Sequence, residues 1–62
     1  MSIYTNLVQV HGVVKINMRQ TKNVIKESGR EYVTTKITLL QEQNELEIVL
    51  FSDKAPEIEV AL

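Results

Sequence analysis

Hydrophobic and polar residues alternate along most of this chain with the two-residue period of half-buried β-strands. Residues 7 to 18, Leu-Val-Gln-Val-His-Gly-Val-Val-Lys-Ile-Asn-Met, are rich in β-branched side chains and predict a long first strand. On it Val8, Val10, Val14, Ile16 and Met18 share one face with Gly12. Gln9, His11, Val13, Lys15, Asn17 and Arg19 share the other, and Gly12 marks a bulge or bend. Ser28-Gly29, between Val24-Ile25 and Tyr32-Val33, reads as a turn, which makes the intervening basic stretch a protruding hairpin. Alternation resumes from Tyr32 to Leu40, with Val33, Thr35, Ile37 and Leu39 on one side and Tyr32, Thr34, Lys36, Thr38 and Leu40 on the other.

A further strand runs from Glu45 to Phe51. A turn over Gln41 to Asn44 sets Leu39 against Leu46, Ile37 against Ile48 and Thr35 against Leu50, keeping apolar beside apolar. The same register sets Thr34 beside Phe51, Lys36 beside Val49 and Thr38 beside Glu47, with Tyr32 diagonal to Phe51. The segment Pro56 to Leu62 alternates as a terminal strand would, while Asp53 ahead of Ala55-Pro56 suits the cap of a short helix. The expectation is an all-β single domain over residues 1–62: a small antiparallel sheet or partial OB-like barrel, completed by dimerisation.

Composition sharpens this picture. The hydrophobic class makes up 44% of 62 residues, enough for a packed core, but Tyr4, Tyr32 and Phe51 are the only aromatics, so that core is expected to be aliphatic. A chain this short is marginal alone, and without cysteine it has no disulfide or Cys-ligated zinc to staple it, so self-association is expected. The longest apolar run is four residues, Ile48 to Phe51, and no basic region followed by an apolar stretch opens the chain. The reading is therefore a cytoplasmic, unprocessed protein with no membrane contact.

The net charge of −1 conceals a segregation. Residues 15 to 36 hold Lys15, Arg19, Lys22, Lys26, Arg30 and Lys36 against Glu27 and Glu31, a net of +4; residues 37 to 62 hold six acids against Lys54, a net of −5. Catalysis lacks equipment: His11 is the only histidine, there is no cysteine nucleophile, and Ser2, Ser28 and Ser52 sit in no nucleophile-elbow pattern. Glu45 and Glu47 share a strand face, but alternating with Leu46 and Ile48 they read as a solvated surface. His11 has no partner at metal-ligand spacing, so neither metal nor cofactor is expected.

The better signal is for nucleic acid. Lys15, Arg19, Lys22, Lys26, Arg30 and Lys36 form a cationic track beside Tyr32 and Phe51. A single strand needs both kinds of group, because cations displace counterions from phosphates and ring faces stack on bases. Gln9, Asn17 and Thr34 offer hydrogen bonds. The competing reading has the cations solubilising an outer face while the two rings fill a second small core or a dimer interface.

Three stretches resemble the bacterial single-stranded DNA-binding protein family. They are Asn6 to Val14 with its glycine, Lys36-Ile37-Thr38-Leu39, and Ile48-Val49-Leu50-Phe51 followed by Lys54-Ala55. Ser28-Gly29-Arg30-Glu31-Tyr32 is similar to a turn in the compact single-stranded DNA-binding proteins of filamentous phages. The resemblance implies an OB-fold, a helix after Phe51, and DNA contacts from Arg30, Tyr32 and Lys36. The sequence departs in lacking the family's stacking tryptophans and the two further strands beyond the helix, so either the barrel is truncated or rearranged or a second copy supplies the missing strands. The acidic half is expected to face away or to recruit a protein. The alternative function is a small protein-interaction module, an inhibitor or assembly subunit that offers a sheet edge or the alternating stretch Glu57 to Leu62 to its partner.

Overall fold

Two tight turns decide the architecture of the computed structural model, which describes residues 3–62. At the first, Gly29 takes φ of +71°, a left-handed conformation that β-carbon-bearing residues reach only with strain, and its amide donates to Ile25 O at 2.7 Å. The Ser28 hydroxyl accepts from the Arg30 amide at 3.3 Å. At the second, the Gln41 amide donates to Asn44 O at 2.9 Å, and the Asn44 side-chain amide donates to Gln41 Oε1 at 3.1 Å. Three antiparallel strands result: β1 (Val13–Val24), β2 (Glu31–Gln41) and β3 (Glu45–Ser52), in the spatial order β1-β2-β3. The sheet is open and carries no helix among the described residues, so the all-β expectation holds in its small antiparallel sheet form.

The β2–β3 register matches the sequence reading pair for pair, with Leu39 opposite Leu46, Ile37 opposite Ile48, Thr35 opposite Leu50 and Thr34 opposite Phe51. The first strand does not match. It begins at Val13 rather than Leu7 and runs six residues past Met18. Val8, Val10, Gln9 and His11 therefore belong to no strand, because nothing pairs with residues 3–12. Gly12, with φ of +71°, is the bend that starts β1, and Val14 is an extra residue bulged between the pairs Val13–Gln41 and Lys15–Leu40. The basic hairpin does not protrude as expected either, because β3 flanks β2 as far as Val33, two residues from the strand's start. The terminal strand is absent: residues 55–62 form neither strand nor helix, having no neighbour to complete a ladder.

The pleat sorts the side chains onto two faces. One carries Ile16 and Met18 from β1, Val33, Ile37 and Leu39 from β2, and Leu46, Ile48 and Leu50 from β3. At its centre Thr35 is 2% exposed, accepting a 3.4 Å hydrogen bond from the Gln20 side-chain amide. The expected packed core is not formed. No hydrophobic side chain is buried among the described residues, since one sheet is one layer and a core needs two. The other face is polar.

Candidate nucleic-acid interface

The polar face follows from strand parity. Lys15, Asn17, Arg19, Thr21 and Asn23 project from β1, Tyr32, Thr34, Lys36, Thr38 and Leu40 from β2, and Glu45, Glu47, Val49 and Phe51 from β3. Three of the predicted cations therefore meet the two rings on one side of the sheet. Arg19 stands directly opposite Lys36 across the β1–β2 ladder. Like charges so placed are destabilising unless something negative sits between or beside them. Glu47 does part of this, with its carboxylate 3.0 Å from the Lys36 ammonium. Lys15, Asn17, Arg19, Lys36, Thr38 and Glu47 contribute to the walls of a groove of about 270 Å³.

The rings lie towards the other end of the face. Tyr32 and Phe51 have centroids 6.3 Å apart and planes inclined at 32°, a tilted aromatic pair. Phe51 is 72% exposed, so its ring is open to solvent rather than packed inside. With Ile25, Arg30, Ser52 and Asp53 the two rings line a depression of about 490 Å³. Tyr32 and Lys36 are four positions apart on β2, about 13 Å in an extended strand. Between them the Asn23 side-chain amide donates to Thr34 Oγ1 at 3.3 Å and to Thr21 O at 3.2 Å, fixing that stretch of surface.

The remaining predicted site residues are placed differently. Lys22 pairs with Val33 and so projects from the apolar face, where its ammonium lies 3.1 Å from Glu31. Its parity is opposite to that of Lys15 and Arg19, which becomes visible only once β1 is known to continue to Val24. Lys26 is in the hairpin turn. Arg30, at the end of that turn, donates to Asp53 Oδ1 at 2.8 Å. Lys15, Arg19 and Lys26 have no acid within ion-pair distance among the described residues.

Nor does the acidic half turn away. Glu45 and Glu47 share the cationic face, and Glu47 and Asp53 each hold one of its predicted cations. Charge totals along the chain do not reveal this masking, although the pairing of Thr38 with Glu47 places that carboxylate diagonal to Lys36. Gln9, offered as a hydrogen-bonding residue, lies in the segment before β1, whereas Asn17 and Thr34 are on the polar face. Among the described residues no three His, Cys, Asp or Glu side chains gather as a metal site would require, and no helix is long and apolar enough to cross a membrane. No family model, curated protein or solved structure matches the chain.

Proposed function

We propose that this chain is a non-catalytic nucleic-acid-binding protein that takes single-stranded DNA along its polar face. One observation supports the reading above the rest: Arg19 and Lys36 stand opposite each other, with Lys15 nearby, on the face that also presents Tyr32 and Phe51. A phosphate between the two cations removes a repulsion that the free protein carries. The exposed ring of Phe51 and the half-buried ring of Tyr32 beside it then offer base-stacking plates, which a duplex cannot use because its bases are already stacked. Lys26, in the hairpin turn with no acid within ion-pair distance among the described residues, suits a further phosphate. The resemblance of Ser28 to Tyr32 and of Ile48 to Phe51 to single-stranded DNA-binding proteins agrees with this reading.

Fluorescence anisotropy of labelled single-stranded and duplex oligonucleotides at two salt concentrations tests it. The expected result is micromolar or tighter binding of the single strand, weaker binding of the duplex, and a steep loss of affinity as salt rises. No binding at low salt, or binding indifferent to salt, refutes it.

A further inference from the structure

A folded monomer of 7.1 kDa has a surface of about 4,100 Å² by the usual scaling with mass, whereas this chain exposes 6093 Å². Its radius of gyration is 14.8 Å, against about 11 Å for a compact domain of this length. The excess surface is about 2,000 Å². Part of that excess belongs to residues 3–12 and 53–62, which flank the sheet and are exposed almost throughout, and the rest to the sheet's own faces, which no second layer covers. The uncovered surface is also of the right kind. Ile16, Met18, Ile37, Leu46, Ile48 and Leu50 form one continuous aliphatic sheet face, and Ile16 is 67% exposed.

We infer that a second copy of this chain covers that face, the two sheets packing face to face as an aligned sandwich. Charge selects a copy of the same chain as the occupant. Among the described residues, the only charged side chains on the face, Lys22 and Glu31, neutralise each other at one end of it, so two such faces meet without net repulsion. A two-fold axis makes the contact self-complementary and closed. Joining through β1 edges is the less suitable route, because that edge is bulged at Val14 and carries Lys15, Arg19 and Lys22, the usual devices against edge pairing. Edge pairing of any strand also leaves the aliphatic face wet. The sandwich supplies the second layer that the fold lacks and turns the two polar faces outward on opposite sides.

The test uses the absence of native cysteine, which makes single-cysteine variants clean reporters. Ile48 and Val49 are neighbours with similar exposure in the isolated chain, 38% and 46%, but they point to opposite faces. Ile48→Cys and Val49→Cys are compared for thiol labelling rate, without nucleic acid, alongside light-scattering mass and the thermal midpoint of the unaltered chain over a hundredfold range of concentration. The expected result is a mass of about 14 kDa, twice that of one chain. Labelling at position 48 should be at least about tenfold slower than at 49, and the midpoint should rise with concentration. A cooperatively folded 7.1 kDa species at every concentration overturns the inference. So does equal labelling at the two positions in a species of dimeric mass, which assigns the contact to an edge.

Discussion

Replacing Arg19 by Gln removes one charge from the polar face while leaving a shorter polar side chain on an exposed strand position. If Lys15, Arg19 and Lys36 each neutralise one phosphate, the log of the binding constant falls against the log of salt with a slope of about −2.1 for a single strand, about −0.7 per contact. Between 50 and 200 mM salt that is about a twentyfold loss of affinity. With two contacts left the slope is about −1.4 and the same change of salt costs about sevenfold. Lys22→Gln is the matched control, since it alters an equal charge three residues along the same strand but on the opposite face. It should leave the slope unchanged. Anisotropy titrations of the three proteins at four salt concentrations, with folding checked by circular dichroism, measure all three slopes. Equal flattening in Arg19→Gln and Lys22→Gln, or in neither, refutes the claim that phosphates follow this face.

Tyr32→Ala and Phe51→Ala should each weaken single-strand binding by about 1 to 3 kcal/mol if the rings stack on bases, read in the same titration; an unchanged affinity in folded variants removes stacking from the account. Glu47→Gln frees the Lys36 ammonium from its 3.0 Å partner and should strengthen binding several-fold, while stability moves by less than about 1 kcal/mol because the pair is solvent-exposed. Weaker binding in that variant would show the carboxylate to be part of the contact. Gly29→Ala should destabilise the sheet by about 1 to 2 kcal/mol in urea unfolding. No atom obstructs a β-carbon there, so the whole cost lies in holding φ at +71°.

The β2–β3 hairpin was legible in the sequence because both faces speak at once. Leu39, Ile37 and Leu46, Ile48 alternate with Thr38, Lys36 and Glu45, Glu47, so a one-residue slip would bury charge, and only one register survives. The first strand was not legible to its end. Its far half reads Arg-Gln-Thr-Lys-Asn, polar on both sides, because Gln20 and Lys22 lie where the apolar face is giving out. The period vanishes there, and with it the means of seeing that Lys22 turns away from Arg19. The opposite error came from Leu7 to Val10, whose alternation is strand-like while no described neighbour pairs with it. Of the candidate site, the shared face of Lys15, Arg19, Tyr32, Lys36 and Phe51 was readable from parity. The ion pairs to Glu47 and Asp53 were not, since they depend on side-chain reach and, for Arg30, on how a turn meets the end of a strand.

The simple succession of β1, β2 and β3, each strand beside its neighbour in the chain, has a kinetic consequence. Every ladder closes through a short connection, so each hairpin can zip outward from its own turn and forming the sheet requires no long loop to find its ends. β2 alone has a hydrogen-bonded strand on each side, so its amides should resist exchange with deuterium longest, and the sheet should fray inward from its two outer strands.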